Sequence, residues 1–240
     1  MTAIALALAA AIHHKHIEAN SKLLKRPDLS AEIIDLPTLE KYSDFLMKYQ
    51  RKDEFDAPPE EVDLIGKKFR IFYVAMQKDL NDRNQPTYEY DVVNKTFNLY
   101  LNEGSLDNRN YPNTDRYKRN NYKYFEFWFG GVTSKHLNIN VDKLITIASD
   151  DIDSLQPSSA TTFIVETNKA RKNFGLVWVA IEGQFIENTP NRTSSCEVRS
   201  INDEYEAQTD FENSCLFMAH IDRVTFTSND GNKIVSFDRK

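Results

Sequence analysis

An α+β fold is predicted by three features of the chain. Helical periodicity is confined to its first quarter, two-residue alternation fills most of the rest, and a strand-like aromatic stretch lies near the middle. N-terminal helices are expected to pack on a mainly antiparallel β-sheet or sandwich of roughly ten strands. The expected divisions are an apolar segment or helix over 1–26, a helical segment over 27–62 and a β-rich domain over 63–240. A faint echo, in which Val74-Ala75-Met76-Gln77 recurs as Val179-Ala180-Ile181-Glu182, is read either as two similar sheet halves, 63–149 and 160–240, or as chance similarity of amphipathic strands.

With 240 residues, 40% of them hydrophobic, the chain can bury a core and is not a disordered polymer. The net charge of −6 predicts no general affinity for nucleic acid or an anionic membrane.

Ala3 to Ile12 is an unbroken apolar run with small-residue sites such as Ala7-Leu8-Ala9, the pattern of a secretory leader, although no Lys or Arg precedes it. The other readings are an anchor or an alanine-rich helix that contacts a membrane or a partner. It is too short to span a bilayer, which takes about 20 residues, and no later segment qualifies. His13, His14 and His16 follow it, and no carboxylate or thiol at matching spacing completes a metal site.

Asp35 to Lys52 reads as a helix. Asp35 caps it, Pro37 suits its first turn, and Leu39, Tyr42, Phe45, Leu46 and Tyr49 form one apolar stripe. Pro58-Pro59 then separates it from the strands. Lys68 to Gln77 is apolar on both faces, which predicts a central strand. Tyr88–Asp91 and Thr96–Leu101 form a hairpin turning at Val92–Lys95, with Phe97, Leu99 and Leu101 inward.

The organising strand is Asn121 to Thr133, with Phe125, Phe127 and Phe129 facing the core and Tyr122, Tyr124, Glu126 and Trp128 on the other side. Leu137–Ala148, Thr161–Thr167, Leu176–Glu187, Glu197–Ile201, Leu216–Ser228 and Lys233–Phe237 complete the strands. Asn229-Asp230-Gly231-Asn232 turns the last two into a hairpin.

Cys196 and Cys215, 19 positions apart, are the candidate disulfide. Such a bridge stabilises by about 3 kcal/mol in the chain-entropy model, and it belongs in an exported protein.

The chain has no GxSxG, HExxH, Walker loop, GxGxxG or CxxC. The best catalytic set is Cys215, His220 and Asp222, with His220 and Asp222 sharing a strand face. An extended strand would hold Cys215 roughly 15 Å from His220, too far for the imidazole to activate the thiol. Asp150, Asp151 and Asp153 resemble part of a calcium loop but lack its glycine and distal glutamate, so no metal and no cofactor is expected.

Between Asp107 and Lys123, arginines and tyrosines alternate. Arg109, Tyr111, Arg116, Tyr117 and Arg119 are the residue types of protein interfaces, and Tyr124 and Trp128 extend them if their face is uncovered.

The predicted function is therefore a non-catalytic binding or assembly module contacting a protein partner through this surface. It is expected to be exported or associated with the cell envelope, and cytoplasmic otherwise. The alternatives are a hydrolase or transferase using His220 and Asp222, or a single-strand nucleic-acid binder through 107–123.

Overall fold

The computed structural model describes residues 29–50, 64–78, 84–105, 122–129, 141–187, 194–202 and 209–240. Its elements begin with β1 (Ile33–Asp35), α1 (Leu36–Gln50), β2 (Lys68–Ala75), β3 (Thr87–Asp91), β4 (Thr96–Tyr100), β5 (Gly104–Ser105) and β6 (Lys123–Phe129). They continue with β7 (Val141–Ser149), β8 (Leu155–Pro157), β9 (Thr162–Ile164), α2 (Thr167–Phe174), β10 (Val177–Phe185), β11 (Ser194–Asn202), β12 (Thr209–Thr227) and β13 (Lys233–Arg239). Ten strands form one connected assembly, and β3, β4 and β9 form a separate sheet of three.

The spine is β12, whose 19 residues belong to two sheets. Its first half is flanked by antiparallel β11 and parallel β7, and beyond β7 lie β6 and β5. Its second half is flanked by antiparallel β10 and β13. Beyond β10 lie β2 and β1, and beyond β13 lies β8. A long strand that changes partners midway is one way two sheets are joined at a corner.

One apolar core collects side chains from α1, from both parts of the large assembly and from the three-stranded sheet. Helix α1 forms where its sequence predicts. Thr38 donates its backbone N–H to the Asp35 carboxylate at 2.9 Å, and Leu39, Tyr42, Phe45 and Leu46 are buried. Each of those side chains contributes about 1.5–3 kcal/mol by leaving water. Tyr42 meets Phe217 of β12 ring to ring, and Lys143 of β7 reaches Glu40 at 3.1 Å and Asp44 at 2.8 Å.

The 88–101 hairpin also stands. Asp91 accepts from the backbone of Val93 and Asn94, Lys95 takes a positive φ of 53°, and Phe97 and Leu99 point inward. Gly231, at φ 82°, makes the last turn.

Pairing is mainly antiparallel as expected, with β1/β2 and β7/β12 parallel. Three features depart from the sequence reading. A second helix, α2, lies in the β-rich part. Its polar sequence carries no apolar stripe, and it is held at its ends, where Tyr90 donates to Val165 O at 2.8 Å and Phe174 packs 4.7 Å from Phe97. The strand expected to begin at Leu216 starts seven residues earlier. Finally, β2 has a neighbour on each side, but only one of its faces is buried.

Candidate functional site

At the middle of β12 the burial pattern breaks. Phe217, Ala219 and Ile221 enter the main core while Leu216 and Met218 enter a smaller one, and then Asp222 and Arg223 are both exposed. The cause is a bulge. Glu182 pairs with Arg223 and Gly183 with Ile221, so Asp222 has no partner on β10. Gly183 is required there, because a Cβ on it would clash with the carbonyl oxygen of His220 and the ring of Phe69. The bulge breaks the alternation between Asp222 and Arg223, so His220 and Asp222 both lie on the side away from Ala219 and Ile221, yet Asp222 is not the acid that His220 meets.

Instead, His220 turns to an acid far away in sequence. Its Nδ1 lies 3.0 Å from Oδ2 of Asp151, in the segment that follows β7. Arg239, the last residue of β13, reaches the same Oδ2 at 3.1 Å and Asp222 at 4.0 Å. The other oxygen, Oδ1, accepts the hydroxyl of Ser149 and, at 3.3 Å, the backbone N–H of Ile221. β7 pairs with β12 up to Met218, and β13 pairs with it from Arg223 onward. The Asp151 side chain thus supplies an acceptor where β12 changes partners, and four donors hold it in a single orientation.

The catalytic set built on Cys215 is overturned. Cys196 and Cys215 stand directly opposite on β11 and β12, with Cα atoms 4.0 Å apart, and are joined as a disulfide. A bonded sulfur is no nucleophile.

The expected Tyr/Arg/Trp surface is also altered. Arg109, Tyr111, Arg116, Tyr117 and Arg119 lie outside the described residues, as does the side chain of Trp128. His13, His14, His16 and the Ala3–Ile12 run lie outside them too. Tyr124 is only 7% exposed. It packs with Tyr122, Ala148, Leu216 and Met218, and Asn84 donates to its hydroxyl at 3.1 Å. Phe125 and Phe127 enter the main core as expected, with Phe129 half-buried against it. Both faces of β6 are therefore covered around Tyr124, which presents no outer platform.

The open aromatic surface is elsewhere. On the outer face of β2 and β10, Phe72 (55% exposed), Val74 (38%) and Met76 (42%) adjoin Leu176 and Trp178. Phe72 and Trp178 stack with centroids 5.0 Å apart and planes 6° from parallel. Beside them runs a cross-strand row of Arg70, Glu182, Arg223 and Asp238. Arg70 Nε donates to Glu182 at 2.7 Å, and Arg223 donates to Asp238. Hydrogen bonds from Ser236 and Arg223 hold the Asp238 carboxyl below the usual carboxylate range. Val74 and Ala180, two members of the sequence echo, lie on this face as well.

Sequence reasoning missed Asp151 as the partner of His220, 69 positions away, because no local spacing records a contact made by sheet topology. It also read the exposed side of β2 as buried, because apolar residues occupy both parities of that strand. No helix among the described residues is long and apolar enough to cross a membrane. No protein-family model, no curated protein and no solved structure matches the chain.

Proposed function

We propose that the protein is a non-catalytic binding module that docks a protein partner on the outer face of β2 and β10. The carrying observation is the Phe72–Trp178 stack, open to water at the centre of an apolar strip beside a row of ion pairs. An apolar, aromatic centre with a polar rim is the anatomy of a protein interface.

The chemistry of the face favours protein over the other ligands. Each ring spends one face on the other, which leaves edges and aliphatic side chains better suited to an interlocking protein surface than to a flat sugar or base. The neighbouring cations are matched by Glu182 and Asp238, and the chain is acidic overall, which disfavours nucleic acid. The alternative of a hydrolase or transferase working through His220 and Asp222 is less favoured, since Cys215 is bonded to Cys196 and His220 meets Asp151.

The Cys196–Cys215 bridge supports an exported or envelope-associated location, where disulfides persist. The thiol count of the native protein, with its mature N-terminus, tests that part.

The docking reading is tested by a photo-crosslinking residue at position 72 in cells of the source organism. Position 92, in the exposed β3–β4 turn, serves as control. One defined protein adduct at 72, absent at 92 and lost with Trp178→Glu, is the expected result. Equal labelling at both positions, or adducts indifferent to Trp178→Glu, would contradict it.

A further inference from the structure

We propose that Asp150, Asp151 and His220 bind a divalent first-row transition ion at the point where β12 passes from one sheet to the other. Each residue offers one ligand atom, and these atoms lie within 4.8 Å of one another. The set contains an imidazole nitrogen beside two carboxylates, which favours a transition ion over calcium or magnesium.

The geometry suits coordination in a second respect. Ligand atoms about 2.1 Å from a metal and at right angles around it are about 3.0 Å apart, and His220 Nδ1 is 3.0 Å from Asp151 Oδ2. An ion can therefore replace the proton between these two atoms without moving either strand. Asp151 is already oriented by the Ser149 hydroxyl and the Ile221 N–H on its other oxygen, the kind of support that ligating carboxylates receive from their surroundings. Asp150 is exposed at the mouth, and water completes the coordination.

Arg239 is the competitor. Its guanidinium holds Asp151 Oδ2 at 3.1 Å and has a second acid, Asp222, at 4.0 Å. Binding an ion transfers Arg239 from Asp151 to Asp222. The three acids then face one guanidinium and one dication, a balanced local charge in place of a surplus of negative charge. Arg239 thereby sets the affinity, which gives the proposal a signature that general adsorption of cations to acids does not share.

The full chain is titrated calorimetrically with Zn2+ and with Mn2+ in a His13→Ala, His14→Ala, His16→Ala background, so that the N-terminal histidines take no part. One ion per chain is expected. Asp150→Asn and His220→Ala should each weaken binding by about tenfold or more, and Arg239→Gln should tighten it. Asp150 is exposed, so its replacement leaves folding intact, and that variant decides the question even if His220→Ala proves unstable. Absence of binding, affinity unchanged by Asp150→Asn, or a weaker site in Arg239→Gln would overturn the proposal. Equal affinity for Ca2+ that survives His220→Ala would overturn it as well, since it would mark a surface acidic patch alone.

Discussion

The two halves of β12 live in different surroundings. From Ser214 to Ala219 every residue is buried, as is every residue of β7 from Leu144 to Ser149, because this sheet is covered on both faces. From Val224 to Thr227 burial alternates. β10 alternates in step, and the outer face of β2 leaves Phe72 and Val74 in water. One strand thus passes from a sheet enclosed on both sides to one with an open side, and the bulge opposite Gly183 marks the change. Enclosure tells of stability. An open side kept apolar is the kind of surface on which the proposed partner would dock.

The largest expected effect tests this contrast by truncation. Phe217→Ala, in the enclosed half, should destabilise by about 3–5 kcal/mol. Phe72→Ala, which gives up mainly its stack with Trp178, should cost only about 0.5–1.5 kcal/mol. Denaturant melts of both variants decide it, and similar losses would erase the distinction between the two sheets.

Next comes the bridge that ties β11 to β12. Reduction, or the paired change Cys196→Ala and Cys215→Ala, should lower stability by about 3 kcal/mol. A melt insensitive to reductant would show that β11 is held by other means.

Gly183→Ala probes the boundary itself. Forcing a Cβ against the His220 carbonyl and the Phe69 ring should cost about 1–3 kcal/mol. It should also disturb the His220 resonance in an NMR spectrum while leaving α1 unchanged.

The smallest effect is electrostatic and falls on the open sheet and its helix. Asp35 titrates below its ordinary value through hydrogen bonds from Thr38, and Asp238 does so through Ser236 and then Arg223. A carboxyl with a depressed folded pKa binds fewer protons in the folded chain than in the unfolded one. Its contribution is complete above the unfolded value of about 3.9 and fades as pH falls through the folded one. Stability should therefore drop below about pH 4. Asp35→Asn and Asp238→Asn should each flatten that drop, as followed by thermal melts across an acid series.

How much of this was legible in the sequence depends on how local each cause is. Helix α1 was readable because Asp35, Pro37 and the Leu39–Leu46 stripe act within a few residues of one another. The 88–101 hairpin and the Asn229–Asn232 turn were readable for the same reason. The first half of β12 was not, since Thr209 to Ser214 is polar apart from Phe211 and becomes a strand only because β11 and β7 flank it. Helix α2 was hidden because its anchors, Phe97 and Tyr90, belong to another hairpin.

At the candidate site, His220 was singled out but not joined to Asp151. Asp151 comes to it through the parallel pairing of β7 with β12, which no residue spacing encodes. The alternation of β6 correctly sent Phe125 and Phe127 inward. Alternation alone does not say whether the opposite face is covered, and that is why Tyr124 was misplaced.

Hydroxyl-radical footprinting of the isolated chain, read by mass spectrometry at Phe72, Met76, Tyr122 and Tyr124, tests the central contrast most directly. Fast modification of Phe72 and Met76 with slow modification of both tyrosines is the predicted result. Tyr124 reacting as fast as Phe72 would contradict it and return the docking surface to β6.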